Sequence, residues 1–568
     1  MPALNALYAY PRRPRAAPSQ PAAAAKLRAA PRWAVLALAA ALPTAPAWAQ
    51  SAGQLLDETR RSNTPTLPSA PLPRLIEAPV RPTVVMPEGV TVAVSGFRIS
   101  GAVSYPVEKL EELVKPWVGR RLDIAGLNEA AGAITRHYQA GGHLLSYAYL
   151  PAQRVADGVI ELAVLEGRLE GVQIVAAQDV RLRDEVVQAH TERLTADGPL
   201  LQARVERQLL LLNDIAGVTA RAAFTPGAST GAADVVVSVA EDEPLEVRGE
   251  LNNHGGKSTG IYRAGISVQL RDAFGWGDVT TARALTSNKG GLVTGSLATS
   301  VPFGGDGFKL GANLSHLKYA LAGDFKRLGA VGSANVVGVD ASYPLLRTAD
   351  RNLGIKAGFE HRELSDELQL LGTLNKKRND VAELTASADV RDSFGGASAG
   401  SATVSMGRLA QGATATQWRK LGAQAARQQA VSGPWSLYGR VATQYTGSSL
   451  DSSEKMGLGG PGAVRAYAAG EASVDAGSIV TLELRHARDL LGGGVVFSLF
   501  HDQASGRISR FSIVDGNKVS LSGTGVGVTW NGGGYGLNAS LAMRGSRAPT
   551  ADGTDPQPRI FLQMFVTP

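Results

Sequence analysis

The sequence contains no cysteine. That excludes disulfides, thiolate metal sites and cysteine nucleophiles, and it fits an oxidising compartment without requiring one. Beyond its first fifty residues it also lacks any run of about eighteen uncharged apolar residues, so only a closed β-barrel could carry it across a membrane. Aromatic residues make up 6% of the chain against 66 glycines in 568 residues, a composition that suits many short strands and frequent turns over long helices. Charge of one sign is scarce as well. The formal net charge is +7, but Arg12, Arg13, Arg15, Lys26, Arg28 and Arg32 all precede Ala49 with no acidic residue among them. Removing those six leaves about +1, which is no electrostatic footprint for a nucleic acid.

Those basic residues belong to a recognisable leader. Residues 1–49 combine a long basic segment, an apolar run from Trp33 to Leu42 and a small-x-small site at Ala47-Trp48-Ala49, the anatomy of a cleaved export signal. The apolar run is about ten residues, roughly half the length of a membrane-spanning helix. SAGQLLDETRRS follows, so residues 50–62 are expected to hold a short amphipathic helix and a possible plug. Residues 63–90 carry Pro65, Pro68, Pro71, Pro73, Pro79, Pro82 and Pro87 and are expected to be an extended spacer.

The pattern then becomes compact α/β. In residues 91–168, VTVAVSGFRISG reads as a strand, YPVEKLEELVKPWVG and IAGLNEAAGAITRHYQAGG as helices, and SYAYLPAQ and GVIELAVLEGRLEGVQI as strands. Pro106 stands where a first helical turn tolerates it, and Gly141-Gly142 ends the second helix. Residues 169–243 repeat the order: EGVQIVA as a strand, RLRDEVVQAHTERL and ARVERQLLLLNDIAG as helices, VTARAAFTPG and ADVVVSVAEDE as strands. Two β-α-α-β-β units of about 75 residues form an internal repeat at domain scale.

From residue 244 to 568 helical spacing disappears. Tyr262, Ala264, Ile266, Val268 and Leu270 alternate with Arg263, Gly265, Ser267, Gln269 and Arg271; Leu353, Ile355, Ala357 and Phe359 alternate with Gly354, Lys356, Gly358 and Glu360; Tyr535 to Arg544 repeats the dyad. A soluble antiparallel sandwich also alternates, but the leader, the length of the region and strands of about ten residues favour a transmembrane barrel. At about 20 residues per strand and turn this region gives roughly 16 antiparallel strands around a polar lumen.

Catalytic and ligand motifs are weak. Gly255-Gly256-Lys257-Ser258-Thr259 resembles the end of a phosphate loop, yet Leu251 stands where the loop needs its first glycine and no helix follows. No nucleotide site is expected. The eight histidines show no metal-ligand spacing and no Gly-x-Ser-x-Gly elbow is present, so no metal, cofactor or enzymatic role is expected. His486 or His501 beside Asp502 could in principle form an acid–base pair, and an ordinary polar contact is the preferred reading.

One stretch remains unexplained: GGPGAVRAYAAGE, an arginine and a tyrosine among glycines and alanines between strand-like segments. Val464-Arg465-Ala466-Tyr467 is similar to the Val-Arg-Gly-Tyr motif, and Phe500-His501-Asp502-Gln503-Ala504 to the Phe-x-Asp-x-Gly motif, of the two-partner secretion transporters. With its leader, helix, proline-rich spacer, paired α/β modules and barrel, the chain resembles that TpsB-type family of haemolysin secretion/activation proteins over nearly its whole length past the leader. The wider superfamily couples POTRA domains to a polypeptide-transporting barrel. The resemblance implies that the two modules are POTRA domains, that Arg465 lies at the tip of a loop folded back into the lumen, and that its partner is Asp502 on the wall. Both motifs depart at the glycine, with Ala466 and Ala504. Strand parity adds support: Asp502 shares a face with Val496, Ser498 and Phe500, while Val495, Phe497 and Leu499 make an apolar face suited to lipid.

The expected function is therefore an outer-membrane pore with its N-terminal domains in the periplasm. It would pass a secreted partner protein, an adhesin, cytolysin or toxin with an N-terminal secretion domain, to the cell surface. The other implied partners are outer-membrane lipid and the barrel-insertion machinery; no nucleic acid is expected. The alternative is an assembly factor of the same superfamily that inserts other barrels, which would usually carry more such modules. The chain ends RIFLQMFVTP, with Phe565 three residues before Pro568, where barrels of this class commonly end in an aromatic residue.

Overall fold

The computed structural model describes residues 51–60, 67, 91–155, 157–195, 200–229, 232–511, 516–545 and 557–568. The leader reading for residues 1–49 and, apart from Leu67, the spacer reading for 63–90 lie outside the described residues. The short helix is present as α1, Ala52–Arg60.

In the first α/β module, strand Gly96–Ser100 runs parallel to Val159–Leu165, which pairs antiparallel with Tyr147–Tyr149. Helices α2, Val107–Val114, and α3, Ile124–Ala140, pack on this sheet. The Asp123 carboxylate accepts from the Gly126 N–H at the start of α3, a standard N-cap. At the other end Gly142 takes a φ of 81°, open to glycine without strain. Ile99, Leu110, Val114, Ile134, Tyr138 and Leu162 close the core. The continuous strand expected over VTVAVSGFRISG is instead two. Val92–Ala93 pairs with Arg121–Leu122, then Val94 turns into the core and the chain resumes at Gly96 against a different partner.

The second module repeats the topology. Arg168–Ala176 is parallel to Ala232–Glu241, which is antiparallel to Val218–Pro226. Helices α4, Asp184–Thr191, and α5, Gln202–Asn213, cover one face. The modules interlock: Leu144 N–H donates to Leu200 O, Gln202 N–H to Gly142 O, and Leu145 enters the second core.

Sixteen antiparallel strands, from Leu245–Asn252 to Arg559–Val566, form a closed barrel. Closure removes the unpaired edge that lipid cannot satisfy. The apolar dyad points outward, with Ile266, Leu353, Phe359 and Met543 exposed on the wall's outer face and Arg263 buried on the inner one. The closing contact is short, four residue pairs from Gln563↔Asn252 to Val566↔Gly249, whereas the strands Arg351–Leu368 and Thr373–Arg391 pair continuously from Arg351↔Val390 to Leu368↔Thr373.

The short turns at one end of the barrel dock on the second module. Asp214 receives Nε and Nη2 of Arg347, each at 2.8 Å. Arg183 N–H donates to Gly275 O at 3.0 Å, and its guanidinium lies 4.4 Å from the Trp276 ring centre. That end therefore faces the modules, and the long loop of residues 447–475 leaves from the other.

Candidate functional site

The residues 447–475 connect strands Trp435–Thr446 and Ala476–Leu490, and they turn into the lumen instead of standing away from it. A two-residue ribbon, Met456–Gly457 with Ser473–Val474, starts the descent. Gly460 adopts a φ of 114°, and the tip closes on itself through Gly460 N–H to Val464 O and Tyr467 N–H to Val464 O. The glycines thus serve a tight turn. Val464 and Tyr467 are fully buried, in an apolar cluster with Ile479, Phe500, Ala504 and Leu521 of the wall.

Arg465 and Asp502 come together. Nε and Nη2 of Arg465 donate to the two Asp502 oxygens at 2.8 and 2.9 Å, and its backbone N–H adds a third bond at 3.1 Å. Thr481 Oγ1 supplies a fourth, at 3.0 Å, to a carboxylate with no solvent exposure. The guanidinium carbon lies 3.4 Å from the centre of the Phe500 ring. A fork of this kind fixes direction as well as distance, and stacking on a ring suits the planar cation.

The alternation places Phe500, Asp502 and Ala504 inward, with Phe497, Leu499, His501, Gln503 and Ser505 outward. Val495 keeps the outward parity of Phe497 and Leu499 but is buried, with Arg488 and Trp530 directly opposite on its two neighbours. His501 bonds Thr524 on the outer face and His486 meets Trp435 edge-on, so neither histidine shares the face of Asp502. Among the described residues no group of three or more His, Cys, Asp or Glu could hold a metal ion.

Ala466 fits because a neighbour gives way. It has no positive φ, and its methyl faces Gly523 on the strand Lys518–Gly532, where an added β-carbon would overlap it. The glycine that the motif lacks in the loop is matched by one on the wall.

Sequence reasoning missed three elements of this site. Glu483 accepts Arg465 Nη1 and Arg485 Nε, both at 2.8 Å; the dyad in TLELRH placed it inward and could have revealed it. Arg440 reaches the loop, its Nη1 donating to Gly462 O at 3.0 Å. Farther up, Glu454 is completely buried and pairs with Arg362 Nη1 at 2.6 Å, Lys420 Nζ at 2.7 Å and Asn379 Nδ2 at 2.8 Å. Nothing local in the sequence marks Glu454, because its partners come from three separate strands.

Helix α1 lies against the inward faces near the same end. Ala52, Leu55 and Leu56 join a cluster with Leu285, Leu317 and Leu364. Asp366 accepts the Ala52 N–H at 2.9 Å, Arg263 pairs with Glu58 at 2.7 Å, and Ser51 Oγ lies 2.7 Å from Ser452 Oγ of the loop. Loop and helix together occupy the lumen. A cavity of about 250 Å³ remains between them, lined by Asp57, Glu58, Arg283 and Gly462 among others.

Comparison with known proteins agrees with this architecture. The family described as haemolysin secretion/activation protein ShlB/FhaC/HecB matches residues 231–530, and the ShlB-type POTRA domain matches residues 92–167. The heme/hemopexin transporter protein HuxB of Haemophilus influenzae is 26% identical over 458 residues, 77% of this chain and 80% of that protein. The outer membrane transporter CdiB of Escherichia coli is 25% identical over 341 residues, 58% of this chain and 56% of its own. The solved structure of CdiB from Escherichia coli superposes with a TM-score of 0.66 at 19% identity, covering 86% of this chain and 92% of that one.

Proposed function

The chain belongs to the haemolysin secretion/activation protein family, and from that membership we propose how it handles its cargo. It is an outer-membrane transporter with periplasmic POTRA modules that moves a secreted partner protein to the cell surface. In our reading the partner is a single cognate protein, large and unfolded in transit. Its N-terminal secretion domain is captured by the modules, whose sheets leave Gly96–Ser100 and Tyr147–Tyr149 in the first, and Arg168–Ala176 and Val218–Pro226 in the second, as edge strands. Such edges accept an added strand through main-chain hydrogen bonds. The cargo then passes through the lumen and folds outside, so no nucleotide is consumed and no catalytic step is assigned.

At rest α1 acts as a plug and the loop as a latch. The observation that carries this reading is the fork of Arg465 on Asp502, which ties a loop tip to the wall across the path that cargo would take. Breaking a buried pair from one side leaves an unpaired charge and costs about 3–5 kcal/mol. Co-expression with a candidate large secreted partner tests the reading: the partner reaches the medium only when this chain is present, and an Arg465→Ala, Asp502→Ala chain inserts normally but secretes poorly. Normal secretion by that double variant would remove the latch.

A further inference from the structure

Among the guanidinium groups around the loop tip, Arg465 and Arg485 are each bonded to acceptors through more than one nitrogen. Arg465 spends Nε and both Nη atoms on Asp502 and Glu483, and Arg485 bonds Glu483 and Gln428. Arg440 is different. It is 8% exposed, its Nη1 holds only the Gly462 carbonyl, and its Nε and Nη2 are buried with no partner among the described residues. A buried cation with two unused donors is costly, so its retention on the wall calls for a second arrangement in which those donors are used.

The register supplies one. Arg440 stands opposite Thr481, and Thr481 stands opposite Asp502, so the three form one inward-facing row across adjacent strands. Two strand spacings separate Arg440 from Asp502, roughly 10 Å between backbones, a span that a long arginine and an aspartate close between them. In the resting arrangement Arg465 fills Asp502 from the loop side, and Gly462 of the same loop occupies Arg440.

We propose that Arg440 is a positioning residue that takes over Asp502 when the loop leaves. Withdrawal of the tip frees both partners at once: Asp502 loses Arg465, Arg440 loses Gly462, and the two wall residues pair through the donors left idle at rest. The wall then carries its own closed ion pair in the released state, and re-entry of the loop requires Arg465 to displace Arg440. This rests on the latch reading above and adds to it a second, mutually exclusive partner for the same carboxylate.

Because the chain has no cysteine, a single Ala463→Cys change at a site 4% exposed gives an unambiguous labelling position, and its rate with a membrane-impermeant maleimide on outer membranes reports loop release. Arg465→Ala should accelerate labelling; failure to do so refutes the latch itself. With the latch upheld, Arg440→Met should slow labelling by about tenfold relative to the otherwise unchanged chain, by removing the partner that favours release. Arg440→Lys should restore most of the rate. In an Asp502→Asn background Arg440→Met should change the rate by less than about twofold. Faster labelling in Arg440→Met, or an equal effect in both backgrounds, would mean that Arg440 merely holds Gly462, and the exchange is then wrong while the latch stands. Unchanged heat-modifiable mobility of each variant checks that the barrel has formed.

Discussion

Four donors converge on one fully buried carboxylate at Asp502, and three of them belong to a single loop residue. Lysine cannot reproduce that arrangement, since it offers a point charge without the planar fork. Arg465→Ala should therefore destabilise the folded-back loop by about 3 kcal/mol and Arg465→Lys by an intermediate amount, read as protease or label access to the tip. Glu454→Gln should loosen the descending limb by a similar figure, about 3 kcal/mol, because Arg362 and Lys420 lose their shared countercharge. Packing gives a sharper test. Gly523→Ala should push the tip away at a cost of about 1–3 kcal/mol through overpacking, and adding Ala466→Gly should restore it; tip protection that fails to recover in the pair would show that the two side chains do not meet. Arg465 and Asp502 were legible because a motif resemblance and strand parity both pointed at them. Arg440 and Glu454 were not, since a buried partner depends on which strands lie side by side, and that register is invisible in a local window.

Elements were legible where a single period governs them. The barrel dyads show both faces, and α3 carries its own stop at Gly141-Gly142. The break at Val94 and Ser95 could not be read, because it follows from the two halves of one extended segment choosing different partners. Within the second module, α4 and α5 meet through a buried contact, His190 Nδ1 with Gln208 Oε1 at 3.2 Å. Burial lowers the His190 pKa, with the Gln208 hydrogen bond opposing in part. The unfolded chain keeps the ordinary value near 6.5, so as pH falls below that value the unfolded state binds the proton first. The stability this group contributes is complete above about pH 6.5 and declines toward its lowered folded value. Amide exchange in α4 and α5 of the full chain, corrected for intrinsic rates, should accelerate between pH 7.5 and pH 5, and His190→Gln should flatten that dependence.

For the whole molecule, two α/β modules and a barrel could be counted from the sequence, but how they meet could not. The contact between Asp214 and Arg347 joins residues far apart in the chain, and only the closed barrel brings that turn beside α5. The barrel seam distinguishes a secretion pore from a barrel-assembly factor. A factor that hands strands to lipid must open its closing strands, whereas a pore that passes cargo along its axis need not. Asn252→Cys with Gln563→Cys, at directly opposed positions, should cross-link under oxidation and leave secretion within about twofold of the reduced protein if cargo leaves through the lumen. Loss of secretion on cross-linking, reversed by reductant, would favour the lateral route.

Helix α1 has one more consequence. It lies in the lumen yet is covalently joined, through residues 61–90, to the first module, so a helix acting as the plug proposed above could be displaced by cargo but could not diffuse away. A tethered ligand faces its site at an effective concentration on the order of millimolar. Reseating is then a unimolecular event whose rate ignores how many copies of the protein the membrane holds. On the plug reading each pore would reset after each passenger without waiting for a plug to arrive from solution.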